Sequence, residues 1–181
     1  YLNSPESEIF EKGKMLFAFE KASSNIRKRD KAIIVEGYFD VISLHSKGIT
    51  NSVASLGTAL NKYQISQLCR CTDNKNIILN FDSDNAGVLA TQRVIKEVEH
   101  LSLHDQINLK ILQLKDFKDP DEYLSIHKPE DFFNLIDNAS YWIDWEIDQI
   151  FHNKDLTKSE NFQNVVSSLV QLLSKLPQSS T

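Results

Sequence analysis

At 181 residues and 41% hydrophobic composition, the chain carries enough apolar side chain to bury one substantial core and a small satellite. Its 20 Lys and Arg against 25 Asp and Glu give a formal charge of −5, which excludes simple electrostatic wrapping of nucleic acid unless divalent cations offset the carboxylates locally. Cys69 and Cys71, the only two cysteines, exclude a disulfide framework or a four-ligand zinc site and suit a reducing intracellular setting, while the sequence shows neither a signal-peptide pattern nor an apolar run approaching the ~20 residues of a membrane span.

In chain order, residues 9–29 place Ile9, Met15, Leu16, Phe19 and Ile26 among charges, a helical pattern that runs into Arg27-Lys28-Arg29 and predicts an entry helix. Four short apolar runs follow: Ala32-Ile33-Ile34-Val35, Ser52-Val53-Ala54-Ser55-Leu56, Ile77-Ile78-Leu79-Asn80-Phe81 and Leu109-Lys110-Ile111-Leu112-Gln113-Leu114. Two or three of them read as strands buried on both faces, and the fourth, which alternates, reads as an edge strand. Helical segments near 39–46, 60–71 and 86–101 lie between them. This alternation predicts an α/β fold with a mostly parallel sheet covered by helices on both faces. Beyond Pro129 the pattern turns to helices only, around Phe132 to Ile136, Tyr141 to Phe151 and Phe162 to Leu173. The expected organisation is an entry segment at 1–30, an α/β domain at 31–126 and a small all-helical subdomain at 127–181. The start at Tyr1-Leu2-Asn3, without an initiator Met, is that expected of a fragment cut from a longer protein.

The chemistry is suggested by where the acids fall. Glu36 follows the first strand, Asp82 and Asp84 follow the third, and Asp119 and Asp121 lie beyond the fourth. Ligands of open α/β sheets bind at the carboxyl ends of the strands. If the strands are parallel, these five acids and Asp40 share one mouth, where they repel one another and raise each other's pKa unless cations neutralise them. Mg²⁺ takes oxygen ligands, keeps several waters, and binds through one or two carboxylates plus substrate phosphate. Two such ions ~4 Å apart suit an in-line phosphoryl displacement.

Each motif also has a duller, structural reading. Asp40 lies in a first helical turn, where the macrodipole alone stabilises a carboxylate. Asp84 or Asn85 suits a helix N-cap, and Asp119-Pro120-Asp121-Glu122 reads as N-cap, Pro at the first helical position and a capping box. Glu36 is harder to account for in this way, because a charge directly after a buried strand needs a partner, a metal or a solvent cleft.

Taken in order, Ile33-Ile34-Val35-Glu36-Gly37-Tyr38-Phe39-Asp40 and Phe81-Asp82-Ser83-Asp84 resemble the TOPRIM domain shared by primases, type IA and type II topoisomerases and some nucleases. More specific pieces, Tyr1-Leu2-Asn3-Ser4-Pro5-Glu6, Val53-Ala54-Ser55-Leu56-Gly57-Thr58, Asp84-Asn85-Ala86-Gly87 and Lys118-Asp119-Pro120-Asp121-Glu122, look like the RNA-polymerase domain of bacterial replicative primases of the DnaG type, over Tyr1 to about Tyr123. The resemblance implies that Glu36 is the catalytic glutamate, and that Asp40, Asp82, Asp84, Asp119 and Asp121 form a metal-binding cluster for Mg²⁺, with Mn²⁺ as a substitute. It also implies that Lys12 and Asn3 face nucleotide and template, and that residues 1–30 end an N-terminal polymerase subdomain. Partners implied are a single-stranded DNA template, NTPs, the RNA primer and a replicative helicase. Zinc would belong to a separate N-terminal module, and the helicase contact to a separate C-terminal domain. Ser83 departs from the family, which usually has Gly there; it gives up backbone freedom and adds a hydroxyl.

Other features carry less. The histidines at 45, 100, 104, 127 and 152 lack metal-site spacing, and Trp142 and Trp145 read as core anchors before base-stacking platforms. The competing readings are a TOPRIM nuclease or topoisomerase fragment, and a non-catalytic TOPRIM binding module.

Overall fold

The computed structural model describes residues 11–57, 59–103 and 107–176. Leu16–Phe17 (β1), Ala32–Val35 (β2), Ser52–Ser55 (β3), Asn76–Asn80 (β4), Asn108–Ile111 (β5) and Ser140–Tyr141 (β6) form one six-stranded sheet in the order β1-β3-β2-β4-β5-β6. The four central strands are parallel and the two edges antiparallel. The expected α/β sheet is thus present, with its parallel strands reached through helical crossovers.

The β2 and β4 strands are apolar because both of their faces are covered, whereas β5 buries only the alternate residues Leu109 and Ile111. Along β2, Ala32 and Ile34 point into one core with Ile77, Leu79, Leu109 and Ile111, closed by Phe19–Arg29 (α1), Lys62–Cys69 (α3), Asn85–Leu103 (α4) and Trp142–Phe151 (α7). Ile33 and Val35 point the other way with Ala54 and Ile78, under Tyr38–Ser46 (α2), Pro120–Ile126 (α5) and Pro129–Asp137 (α6). The period-two alternation of a strand thus feeds two hydrophobic layers, as the sequence predicts. Ser159–Leu173 (α8) adds Leu172 to the first layer. Among the described residues, no helix is long and apolar enough to cross a membrane.

Three expectations are corrected. The single entry helix over 9–29 is broken: residues 12–14 form a 3-10 turn, β1 pairs with β3 through Leu16–Ser55 and Phe17–Ala54, and α1 begins only at Phe19. Ala18, at φ 62, makes the bend between strand and helix. The β5 strand is not an edge, because β6 pairs with it through Lys110–Tyr141 and Ile111–Ser140. For the same reason the chain beyond Pro129 is not helices only. The tryptophans do anchor the core, at 3% and 4% exposure, and Trp142 donates from Nε1 to Ser102 Oγ at 2.9 Å.

Two local devices set the rim of the sheet. At α3, Asn61 Oδ1 accepts from the Gln64 amide at 3.1 Å and Gln64 Oε1 accepts from the Asn61 amide at 3.1 Å, a reciprocal capping box. The same two side chains donate to Gly13 O and Met15 O at 2.8 Å each, tying the turn that carries Lys12 to the start of α3. At α4, the helix enters so close to the end of β4 that a Cβ on Gly87 would lie 2.0 Å from the Asp82 carbonyl oxygen. Only glycine fits there. Gly87→Ala must therefore displace either the helix or the Asp82 backbone. It is expected to lower Tm by at least ~2–4 °C, the lower end of overpacking costs in a chain of this size, and to shift the amide resonances of residues 82–84. An unchanged Tm and spectrum would contradict the close approach.

Candidate active site

Because β3, β2, β4 and β5 run parallel, their carboxyl ends open onto one edge. Glu36 leaves β2 there, Asp82 and Asp84 lie between β4 and α4, and Asp119 and Asp121 begin α5. Hydrogen bonds join these segments. The Asp82 amide donates to Glu36 Oε1 at 3.2 Å, the Ser83 amide donates to Lys118 O at 2.9 Å, and Ser83 Oγ donates to Leu114 O at 2.8 Å. Lys118 Nζ reaches Asp82 Oδ2 at 3.6 Å. Ser83 thus uses its hydroxyl to fasten this loop to the segment after β5.

The acids act on one another electrostatically. Burial pushes the Glu36 carboxyl up, and the charges of Asp82, Asp84 and Asp40 push it further, against the Asp82 amide bond. Asp40 is raised to about 6, first by burial and then by Asp119, Asp82 and Asp121, while its bond from the Gly37 amide, 3.0 Å, opposes the shift. Asp82 is raised by burial and by Asp119 and Asp84, with Lys118 opposing. Lys118 in turn is raised by Asp82 and Asp119. The six expected acids therefore share one field.

Capping and ligand readings prove compatible. Asp84 Oδ1 accepts from the Gly87 amide at 2.9 Å at the head of α4, and Asp119 Oδ1 accepts from the Glu122 amide at 2.9 Å at the head of α5. In each case one carboxylate oxygen caps, and the other carries no hydrogen bond among the described residues. The expected capping box at α5 is displaced by one residue, since Glu122 Oε2 accepts from the Lys118 amide, 2.7 Å, rather than from Asp119. Among the described residues, no three carboxylate, thiol or imidazole groups converge closely enough to enclose an ion unaided. An all-oxygen, open donor set of this kind fits a hard cation that keeps waters and takes substrate phosphate, and does not fit a closed zinc site.

Lys12 lies in the turn tied to α3 and forms no ion pair with the acids among the described residues. Asn3 lies outside the described residues. Sequence reasoning missed two participants. One is Lys118, and a lysine directly before Asp119 is the signal in the sequence that points to it. The other is Gly87, whose need appears only once α4 is seen against β4.

With this geometry in place, comparison with known proteins defines the class. The chain belongs to the Toprim-like family, whose model matches residues 33–124. A DNA primase of Synechococcus elongatus is 50% identical over 177 residues, covering 98% of this chain and 26% of that protein. The E. coli primase catalytic core superposes with a TM-score of 0.80 at 30% identity, over 98% of this chain and 56% of that one. A DnaG primase catalytic domain bound to ssDNA gives a TM-score of 0.80 at 29% identity, over 99% and 57%. The likeness to bacterial primases expected from the motif order is borne out, and so is the TOPRIM-like α/β fold. The chain spans about a quarter of the length of the curated relatives it matches.

The shift at Asp40 carries a sign that can be checked. Its folded pKa lies above that of an unfolded carboxyl, ~3.9, so the folded chain binds the proton more tightly. In metal-free protein, stability is then gained as pH falls from above 6 towards 4, and the penalty is fully present above 6. The shift on this half-exposed group, discounted for solvent screening, corresponds to ~1 kcal/mol. Asp40→Asn keeps an acceptor for Gly37 and removes the charge. It is expected to raise the Tm of metal-free protein by ~2–4 °C at pH 8 and much less at pH 4.5; equal shifts at both pH values would contradict the assignment.

Proposed function

We propose that this chain is the metal-binding catalytic core of a DNA primase, a DNA-directed RNA polymerase that synthesises short RNA primers for replication. The observation that carries this reading is the gathering of acids at the carboxyl ends of parallel strands, where Glu36 bonds to the Asp82 amide, Asp82 pairs with Lys118, and burial and mutual repulsion raise Glu36, Asp40 and Asp82. Such an arrangement calls for divalent cations, and the cations call for phosphates. Primases among the relatives, one of them solved with ssDNA, support the same substrate class. They disfavour the nuclease and topoisomerase reading, and the presence of all six acids disfavours a non-catalytic binding module.

The reaction is attack of a ribonucleotide 3′-hydroxyl on the α-phosphate of an incoming NTP, directed by a single-stranded DNA template, with pyrophosphate leaving. Asp40, Asp82, Asp84, Asp119 and Asp121 would hold Mg²⁺, or Mn²⁺ in its place. When bound, the ions lower the hydroxyl pKa and neutralise charge on the phosphates. Glu36, oriented by the Asp82 amide and raised by burial, accepts the hydroxyl proton or completes the ligand set. Lys12 and Asn3 would meet nucleotide and template. The family match over residues 33–124 supports a metal-binding domain at 31–126, preceded by the end of a polymerase subdomain and followed by the segment at 127–181. In the whole protein a zinc module would precede this chain and a helicase-binding domain would follow it, at the replication fork.

The test uses the full-length parent protein. With Mg²⁺, NTPs and single-stranded DNA it is expected to make short RNA, and Glu36→Gln is expected to lower the rate by ~10²–10⁴-fold with Tm almost unchanged. DNA nicking without RNA product would favour a nuclease instead.

A further inference from the structure

Glu36 also lines a second surface of the molecule. A cavity of about 250 Å³ opens on the α3/α4 side of the sheet, lined by Glu36, Ser55, Leu60, Phe81 and, from α4, Ala90 and Arg93. Leu60 and Phe81 belong to the core layer under α3 and α4, whereas Asp40 and Asp119 start helices that cover the opposite layer. Glu36, at the rim of the sheet, faces both.

We propose that this cavity receives the terminal phosphates of the incoming nucleoside triphosphate, and that Arg93 is the residue that binds them. The inference rests on the polymerase reading above and adds to it a triphosphate-positioning residue. Arg93 is exposed and forms no ion pair or hydrogen bond among the described residues, although Glu36 lines the same cavity. Lys118, by contrast, is already engaged by Asp82. The Ser55 hydroxyl, which also lines the cavity, is likewise without a hydrogen bond among the described residues. A free guanidinium fork and a free hydroxyl in one cavity suit phosphate oxygens, which arginine binds in a bidentate, charge-assisted manner.

Size and charge narrow the ligand. Sites that enclose a whole drug-sized molecule run ~300–1,000 Å³, so a cavity below that range takes one part of a nucleotide. Glu36 in the lining repels an isolated anion. It tolerates one that is neutralised at both ends, by cations held at the acidic rim and by Arg93 in the cavity. A triphosphate has the length and the charge to meet both. In that position the leaving pyrophosphate is drawn towards α4, away from the hydroxyl that attacks.

Arg93→Ala and Arg93→Lys in the full-length protein test this. Isothermal titration with ATP, ADP and AMP in Mg²⁺ should show wild type preferring ATP to AMP. Arg93→Ala should cut that preference by about 10-fold or more, the loss of one charge-assisted contact, with AMP affinity and Tm unchanged. Arg93→Lys should recover part of it, and in primer synthesis the KM for NTP should rise more than kcat falls. An equal loss for ATP and AMP would mean that the cavity holds base or ribose, and would overturn the proposal. So would an unaltered ATP-to-AMP ratio. A wild-type protein that makes no RNA would instead remove the polymerase reading, while the nucleotide titrations still decide what Arg93 binds.

Discussion

Like charges held partly out of water at one edge of a parallel sheet are the constraint around which this chain is arranged. Parallel strands with helical crossovers end on a common rim, and here the rim receives Glu36, Asp82 and the acids that start α2, α4 and α5. The fold offsets part of the repulsion with its own groups. Helix N-termini favour Asp40, Asp84 and Asp119, main-chain amides bond to Glu36, Asp40, Asp84 and Asp119, and Lys118 reaches Asp82. Burial and mutual repulsion still leave three carboxyls raised. What remains is carboxylate charge that the fold's own groups do not offset, and that the proposed cations would.

The rim is held by links that also serve the helices. One oxygen of Asp84 and one of Asp119 cap the helices that follow, so the backbone that places each acid is fixed by the acid itself. Ser83 fastens the β4–α4 loop to the segment after β5 through both its amide and its hydroxyl. Gly87 lets α4 approach to where any side chain would strike the Asp82 backbone. Removing a carboxylate thus has two separable effects, on helix start and on charge, and Asn substitutions isolate the second.

Much of this was legible in the sequence, for identifiable reasons. The β2 and β4 strands announce themselves as unbroken apolar runs because both faces are covered, and the acids directly after them stand out against that background. The tryptophans were legible because their helical spacing put them among isoleucines. What escaped was set by tertiary pairing. The β1 and β6 strands are two residues each, too short for any periodicity, and exist only because β3 and β5 offer free edges. Leu16 and Phe17 consequently read as part of a helix, and β5 as an edge. A lone cation such as Lys118 resembles an ordinary solvated residue until the fold shows that Asp82 faces it, and Lys12 is placed by hydrogen bonds from α3 that its own sequence neighbourhood does not announce.

The central claim is that acids remote in sequence hold divalent cations together at one rim. Paramagnetic broadening by sub-stoichiometric Mn²⁺ in backbone-amide NMR spectra tests it most directly. The account predicts that residues 36–40, 82–84 and 118–121 broaden together, and that excess Mg²⁺ restores them together. Broadening confined to one of these segments, or scattered over the acidic surface, would contradict it.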